Sequence, residues 1–482
     1  MARDAAIAIV GAGFAGSEAA WQLARRGHAV HLFEMRPVRN TEAHRGADCA
    51  ELVCSNSFKS RLLHNAHGLL KAEMERQGSL LVAGAHAAAV PAGQALAVDR
   101  ERFARWITAR LEAEPLVTLR REPVYDVASM LAAYRRVLIA TGPLTAEPLA
   151  ASIEGILGTS RLAFYDAIAP VVLAETVDPN IAFRASRYGK GDDDYLNCPL
   201  NETQYLAFVE AVRTAQTMPL HAFEDLRPFE GCLPIEVMAA RGVRTLAFGP
   251  MKPVGLNDPR TGRRPYAVVQ LRQENAQATL YGLVGFQTKM TWPEQRRVLR
   301  MIPGLAHAEF ARLGSMHRNT FIQSPRVLDA DLTCRSAPRL SFAGQLAGVE
   351  GYMESGAMGL YAAKRMACRE SGRVLPAPSP ATMTGALVRY LTATPADIFQ
   401  PMNANFGLLD AAPAHVHKAE RKAFYAQRAL EEIDFLERLE FGAEAAGPAI
   451  QRNDLPLADR RAETDRAPAA DASPARGARR MP

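Results

Sequence analysis

The sequence lacks a long apolar run, a zinc-binding cysteine pattern and any evident internal repeat. No stretch of the 482 residues approaches the roughly 18 uninterrupted apolar residues that a membrane-spanning helix requires. The N-terminal stretch carries Asp4 where a secretion signal has only positive charge, and no cleavage site follows. From these absences we expect a cytoplasmic protein without a membrane partner.

Cysteine is sparse, and one of the six cysteines stands in an unusual context. Their spacing fits no zinc site, and in a reducing cytoplasm they should be thiols. Cys54 lies in the stretch AELVCSNSFK and is followed by small polar residues, whereas structural cysteines usually sit in apolar runs. Burial as a small apolar side chain is the commoner fate of a cysteine, and we expect it for Cys49, Cys198, Cys334 and Cys368.

Composition and length indicate a globular protein of several domains. Hydrophobic residues make up 48% and charged residues 22% of the chain, which is ordinary for a globular protein. A chain of 482 residues is too long for one small core, so two or three domains are expected. The net charge of +6 permits a nucleic-acid partner without proving one.

The first 34 residues predict a dinucleotide-binding unit. The apolar run AAIAIV is followed by GAGFAG at 11–16, then by a helical pattern, a second strand and Glu34. Gly11 permits the tight turn, Gly13 lets the backbone approach a pyrophosphate, and Gly16 lets helix and strand pack closely. The exposed N–H groups of the helix stabilise phosphate charge. Glu34, 18 residues after Gly16, can accept hydrogen bonds from the ribose hydroxyls.

Two later segments decide which dinucleotide binds. Residues 135–143, RRVLIATGP, read as a strand that ends at Thr141 and Gly142, and residues 338–345, PRLSFAGQ, read as a strand that ends at Gly344. This layout resembles the flavoproteins with two dinucleotide-binding domains, and that resemblance implies FAD. The expected fold is α/β, an FAD-binding Rossmann-like domain with an inserted α/β domain and a helical C-terminal part.

The order of these segments predicts the domain boundaries. Residues 1–190 form the first part of the FAD-binding domain, and 191–310 form an insertion domain on the substrate side. Residues 311–442 return to the FAD-binding domain and add C-terminal helices. From Ala443 to the end the chain has few large apolar residues and cannot bury a core, so 443–482 are expected to be disordered.

A set of long motifs then points to one family. The sequence is similar to the folate- and FAD-dependent tRNA uracil-5-methyltransferases (TrmFO) from about residue 5 to about residue 440. The motifs that carry the similarity are IVGAGFAGSEAA, AELVCSNSFKS, EGCLPIEVMAARG, TLAFGPMKPVGL, LVGFQTKMTWPEQ, MHRNTFI, FAGQLAGVEGYMESGAMGL and FQPMNANFGL.

The resemblance implies a reaction and its participants. Uridine in the T-loop of tRNA is methylated at C5, methylenetetrahydrofolate gives the carbon, reduced FAD carries the methylene group and donates the hydride, and NAD(P)H is the reductant. No obligatory protein partner is implied. Because C5 of uracil is a poor nucleophile, a thiolate that adds to C6 is the natural way to activate it.

The motifs also imply the residues of the site. Cys232 is expected to attack C6, and Cys54 to act on the flavin side, although the division of labour between the two thiols is not readable from sequence. The expected cofactor-binding residues are Gly11, Ala12, Gly13, Phe14, Ala15, Gly16, Glu34, Thr141, Gly142, Gly344 and Glu350. No metal site is expected.

Weaker candidates have commoner structural explanations. Lys289, Arg272 and the group Arg260, Arg263 and Arg264 could contact phosphate, but surface cations are usually only solvated. His317 and Arg318 could touch folate or flavin. Phe286 or Trp292 could stack on a flipped base, although core packing is the commoner fate of both.

Three other functions remain open from the sequence. A related, larger flavoprotein modifies wobble uridines, but it should carry a longer helical C-terminal domain and a partner GTPase. A second enzyme could methylate ribosomal RNA with an identical active site. A plain FAD-dependent oxidoreductase, or a non-catalytic flavin-binding RNA chaperone, would not need the paired cysteines.

Overall fold

The computed structural model describes residues 5–41, 43–159, 162–189, 192–218 and 233–441. The strands of these residues, in chain order, are β1 (Ile7–Val10), β2 (Val30–Phe33), β3 (Ser57–Ser60), β4 (Ala89–Val90), β5 (Ala95–Val98), β6 (Val117–Arg120), β7 (Val137–Ile139), β8 (Leu162–Ala167), β9 (Val171–Leu173), β10 (Phe183–Arg184), β11 (Tyr195–Leu200), β12 (Ala267–Gln273), β13 (Leu280–Leu283), β14 (Phe310–Arg312), β15 (Met316–Phe321) and β16 (Leu340–Phe342).

The α-helices of the same residues connect and flank these strands. In chain order they are α1 (Phe14–Ala24), α2 (Ala66–Arg76), α3 (Leu80–Ala87), α4 (Arg100–Glu112), α5 (Val127–Ala133), α6 (Glu147–Leu157), α7 (Glu202–Thr214), α8 (Ile235–Ala240), α9 (Thr245–Phe248), α10 (Trp292–Leu299), α11 (Ser324–Val327), α12 (Tyr352–Ser371), α13 (Met383–Ala393) and α14 (Arg421–Phe441). No helix of the described part of the chain is both long and apolar enough to cross a membrane.

The first sheet is parallel and has the strand order β16-β7-β1-β2-β6. Strands β1 and β7, in the middle of the sheet, are short apolar runs whose side chains are all buried, IAIV and VLI. Continuous apolar strands of this kind are typical of a parallel sheet that is covered by helices on both faces. The α/β fold expected from the alternation of strands and helices is therefore confirmed.

Helices α1 and α12 pack closely beside this sheet. A methyl group at Gly359 in α12 would lie 2.1 Å from the carbonyl oxygen of Ala15 in α1, and one at Gly16 would lie 1.8 Å from the carbonyl oxygen of Gly11. Both contacts are with backbone, which cannot move aside as a flexible side chain does. The glycines thus bring α12 onto α1, and α1 onto the loop that follows β1.

The second sheet is antiparallel and has the order β10-β11-β12-β13-β9-β14. Helices α7, α8 and α10 contribute residues to its own buried core, which is separate from the core of the first sheet. Strands β9 and β10 come from residues 171–190, which the sequence analysis assigned to the first part of the FAD-binding domain. The two-stranded ribbon formed by β8 and β15 lies where the chain passes between the two sheets and returns.

The last helix, α14, is attached to the first half of the molecule by buried ion pairs. Arg26, two residues after the end of α1, bonds both carboxylate oxygens of Glu440, at 2.5 and 3.0 Å, and both side chains are almost completely buried. Lys364 in α12 approaches the same carboxylate at 3.0 Å. Because one carboxylate is shared by a cation just after α1 and a cation in α12, the end of α14 is tied to both helices.

The close contact between α1 and α12 gives the first prediction. Gly359→Ala should lower the free energy of unfolding by about 2 kcal/mol or more, because the added methyl group forces two backbones apart. Gly155→Ala is the matched control: Gly155 is an exposed helical glycine with nothing within 4 Å of the added carbon, so the change should stabilise helix α6 by about 1 kcal/mol or less. Urea unfolding followed by circular dichroism measures both variants, and an equal effect would contradict the packing argument.

Candidate active site

Two neighbouring cavities lie beside the loop that follows β1. The small cavity has a volume of about 80 Å³ and the large cavity about 320 Å³, and Pro143 and Leu144 line both. The small cavity is lined at the ends of β1, β2 and β7, whereas the large cavity is lined by strands of the second sheet, by β3 and by the first turn of α12. In α/β sheets, ligands bind outside the carboxyl ends of the parallel strands, as here.

The glycine loop forms one wall of the small cavity. Gly11 lines it with a left-handed backbone (φ +100°), and Gly13 lines it at the first turn of α1. A carbon atom added at Gly13 would meet nothing within 4 Å, so the space above this residue is open. The open approach to the N–H groups of a helix N-terminus suits a pyrophosphate. The residues present therefore fit the ADP half of FAD.

Glu34 lines the same cavity as a carboxylate. It accepts hydrogen bonds from the N–H of Ala12 at 3.1 Å and from the N–H and Nε of Arg36 at 3.0 and 2.9 Å. Burial alone raises the pKa of Glu34, but the hydrogen bonds and the charge of Arg36 outweigh it, and the pKa lies below its ordinary value. These three bonds leave the ionised carboxylate with further acceptor capacity, which ribose hydroxyls could use.

The other predicted cofactor residues fall into two groups. Thr141 lines the small cavity, and Glu350 lines the large cavity, where Gln345 donates to it at 2.6 Å. The backbone of Gly142 is left-handed (φ +68°). The remaining residues are held by packing around the loop rather than lining either cavity, and they are Ala12, Phe14, Ala15, Gly16 and Gly344.

Cys54 lies in the wall of the large cavity, on the loop before β3. Its Sγ is 3.0 Å from the hydroxyl oxygen of Tyr352, the first residue of α12. The backbone N–H groups of Val53 and Cys54 donate to the same hydroxyl oxygen at 3.0 and 2.9 Å. The ring of Tyr352 packs against Phe14, with centroids 4.6 Å apart. Cys54 is thereby attached to the helix pair that carries the glycine loop.

Two arginines bind the opposite side of this loop. Arg100, the first residue of α4, donates to the carbonyl oxygens of Leu52 and Cys54 at 3.0 and 2.7 Å. Arg312 in β14 donates to those of Val53 and Cys54 at 3.0 and 2.9 Å. The two arginines come from different halves of the molecule, so the loop is held where the halves meet.

A third arginine and two carboxylates complete the charged wall of the large cavity. Arg272, at the end of β12, donates to Asn56 and Ser55 at 2.9 Å each, so it binds the cysteine loop rather than lying free for phosphate. Glu274 bonds Arg100 at 2.7 Å. Burial alone raises the pKa of Glu354, but the hydrogen bond from His67 and the nearby charge of Lys59, with smaller contributions, outweigh it and the pKa falls to about 2.

Several residues of this wall were missed by the sequence analysis. Tyr352 and Glu354 stand inside a motif that was noted, GVEGYMESG, but nothing in the spacing of that motif points to a thiol. Arg100 directly follows Asp99, which caps α4, and its place in the first turn of a helix carries no sign of a role in a site. Arg312 stands in a stretch with no motif. Only the fold brings Tyr352, Arg100 and Arg312 to Cys54.

The weaker candidates are distributed differently. Phe286 is completely buried beside Phe208, so the suggestion that it stacks on a base is wrong, whereas the side chain of Trp292 is 53% exposed. Arg260 bonds both oxygens of Asp258. Arg263 and Arg264 are exposed, and Lys289 is partly buried.

The four cysteines expected to be structural are all buried. Cys232 and the side chains of His317 and Arg318 lie outside the described residues.

Known proteins resemble this chain over most of its length. The family model for glucose inhibited division protein A matches residues 6–373. The chain is 52% identical over 434 residues to a methylenetetrahydrofolate–tRNA-(uracil-5-)-methyltransferase TrmFO of Syntrophus aciditrophicus, covering 90% of this chain and 98% of that protein. It is 55% identical over 430 residues to the protein of the same name from Geobacter sulfurreducens, covering 89% and 98%.

Among solved structures, GidA of Aquifex aeolicus is similar in fold. The TM-score is 0.66 at 16% sequence identity, and the match covers 90% of this chain and 73% of that one. The fold and the glycine loop define an FAD-binding flavoprotein of the Rossmann-like α/β class. Within that class, the chain belongs to the TrmFO family, as the sequence motifs indicated.

The open space above Gly13 gives the second prediction. Gly13→Val should weaken FAD binding at least about tenfold, because the added side chain occupies the space through which the pyrophosphate approaches, while the fold should persist because nothing there clashes. Gly155→Val adds the same atoms to open space at a residue that lines neither cavity, and it should leave FAD affinity unchanged. Flavin fluorescence titration of the apoprotein gives both dissociation constants, and equal affinities would contradict the placement of FAD in this cavity.

Proposed function

We propose that this chain methylates C5 of a uridine in the T-loop of tRNA, with methylenetetrahydrofolate as the carbon donor. The observation that carries the proposal is the position of Cys54 in a cavity that adjoins the dinucleotide cavity. A thiol beside a bound flavin and an open space is what the chemistry requires. FAD, when bound, supplies the redox chemistry that carries the one-carbon unit and reduces it to a methyl group.

The cysteines supply the covalent chemistry. A thiolate that adds to C6 of uracil makes C5 an enolate-like carbon, which takes up the one-carbon unit; loss of the C5 proton and departure of the thiolate then restore the ring. We assign the attack on C6 to Cys232 and the flavin side of the site to Cys54. In support, the N–H of Ile235, three residues after Cys232, donates to the carbonyl oxygen of Gln287 at 2.8 Å, and Gln287 lines the large cavity.

The base must leave the RNA stack to reach such a cavity. The large cavity has a volume of about 320 Å³, which is in the range of pockets for small ligands. A uridine that is flipped out of a loop enters at lower cost than one that is paired in a duplex. A T-loop uridine therefore suits the site.

The proposal also covers the reductant, the cellular location and the protein partners of the enzyme. NAD(P)H is the reductant that prepares the enzyme for each turnover. The enzyme works in the cytoplasm, and it needs no obligatory protein partner. The same chemistry on ribosomal RNA would use the same site, so the choice of RNA must be tested directly.

Tritium release tests the reaction. The enzyme, with methylenetetrahydrofolate and NAD(P)H, should release tritium from C5 of labelled uridine in tRNA, because substitution at C5 expels that hydrogen. A tRNA whose T-loop uridine is replaced by cytidine should release none. Release from ribosomal RNA but not from tRNA would show that ribosomal RNA is the substrate. No release from either would refute the proposed reaction.

Trapping with 5-fluorouridine tests the two cysteines. Wild-type enzyme should form a covalent complex with 5-fluorouridine tRNA, because fluorine cannot leave as a proton does. Cys232→Ala should abolish the complex, whereas Cys54→Ala should retain it. Cys368→Ala replaces a buried cysteine of α12 and serves as the matched control that still traps RNA.

The outcomes of the trapping experiment separate the possible roles on denaturing gels. If Cys54→Ala loses the complex while Cys232→Ala keeps it, the two assignments are reversed. If both variants keep it, neither thiol is the nucleophile.

A further inference from the structure

The hydroxyl group of Tyr352 determines the direction of its hydrogen bond to Cys54. A phenol oxygen can accept two hydrogen bonds and donate one. The N–H groups of Val53 and Cys54 occupy both acceptor positions, at 3.0 and 2.9 Å. The single hydroxyl proton is left for the Sγ of Cys54, 3.0 Å away. Cys54 therefore accepts this bond, and an accepted hydrogen bond favours the thiolate over the thiol.

The two peptide groups that donate to Tyr352 are polarised by arginines, which bind their carbonyl oxygens. One joins Leu52 to Val53, and its carbonyl oxygen accepts from Arg100 at 3.0 Å. The other joins Val53 to Cys54, and its carbonyl oxygen accepts from Arg312 at 3.0 Å. Each guanidinium thus begins a chain of hydrogen bonds that runs through a peptide to Tyr352 and on to the sulfur. Bonds in such chains strengthen one another.

Positive charge predominates around the loop, which also favours a thiolate over a thiol. Three guanidinium groups surround it, and Glu274 bonds Arg100 and lies 3.8 Å from Arg272. No carboxylate of the described residues lies within ion-pair distance of Arg312. Burial lowers the pKa of Arg312 to about 10, which leaves it charged at neutral pH. The other ionisable residues that line the large cavity, among those described, are Lys59, Glu350 and Glu354.

Cys49, five residues earlier, shows what the same chain does with a thiol that lacks these partners. Cys49 has no exposed surface, and burial raises its pKa to about 12. Cys54 is only partly buried and lines the cavity, so desolvation opposes its ionisation less. Burial also raises the pKa of Tyr352 well above its ordinary value. The hydroxyl therefore keeps its proton and remains a donor.

We propose that Arg100 and Arg312 are positioning residues that act through the 52–54 loop and the hydroxyl of Tyr352 to hold Cys54 as a thiolate in the resting enzyme. The proposal concerns the protonation state of one sulfur, and it does not depend on the reaction assigned above. A thiolate at this position can act as a base or as a nucleophile toward a molecule in the large cavity without first giving up a proton.

The pH dependence of alkylation tests the proposal. FAD-loaded enzyme is treated with iodoacetamide over a range of pH, and tandem mass spectrometry separates modification of Cys54 from that of Cys49. The rate at Cys54 should rise with a midpoint below the ordinary thiol value of about 8.5, whereas Cys49 should react slowly throughout. Tyr352→Phe keeps the ring but removes the proton donor, and it should raise the midpoint by about one pH unit or more, a tenfold change in the ionisation constant.

The arginines are represented by Arg312, which reaches the loop from the second sheet. Arg312→Met should also raise the midpoint, whereas Arg312→Lys keeps the charge and should shift it less. Arg297→Met is the matched control, because Arg297 is exposed and paired with Glu294 on α10, and it should leave the midpoint unchanged. A wild-type midpoint at or above about 8.5, or an unchanged midpoint in Tyr352→Phe, overturns the proposal. A shift in Tyr352→Phe without one in Arg312→Met overturns the role of Arg312. Since neither RNA nor folate is present, these results stand apart from the methylation assays.

Discussion

The contact of α12 with α1 sets the position of most of the candidate site. The first turn of α1 carries the open space above Gly13, and the first turn of α12 carries Tyr352 beside Cys54. Gly359 allows the backbones of the two helices to approach, and no other residue type would fit at that distance. Because both helices start at a cavity, the dinucleotide cavity and the thiol are placed relative to each other by helix packing, before any ligand binds.

The two halves of the molecule meet at the cysteine loop. Arg100 comes from the half with the parallel sheet and Arg312 from the antiparallel sheet, and both donate to the carbonyl oxygen of Cys54. Each sheet has its own hydrophobic core. The hydrogen bonds at the loop therefore hold the site in place between two cores that pack separately.

Local patterns in the sequence predicted what depends on neighbours in the chain. The turn at Gly11, the close packing at Gly16 and the position of Glu34 follow from a glycine spacing and a strand ending that are visible within 34 residues. The partners of Cys54 could not be predicted in this way. Tyr352 lies 298 residues from it and Arg312 lies 258, and neither residue type at that separation carries a signal. Whether Phe286 packs in the core or stacks on a base could not be decided from sequence for the related reason that burial is a property of the folded chain.

The carbonyl oxygen of Cys54 joins the two halves of the protein with two hydrogen bonds, at 2.7 Å to Arg100 and 2.9 Å to Arg312. A displacement of one half against the other must lengthen at least one of them, since a single oxygen cannot follow both donors. The sulfur that we propose to be a thiolate belongs to the same residue. One segment of backbone thus takes part in joining the two halves and also carries the candidate thiol, so a displacement of the halves would change the surroundings of that sulfur.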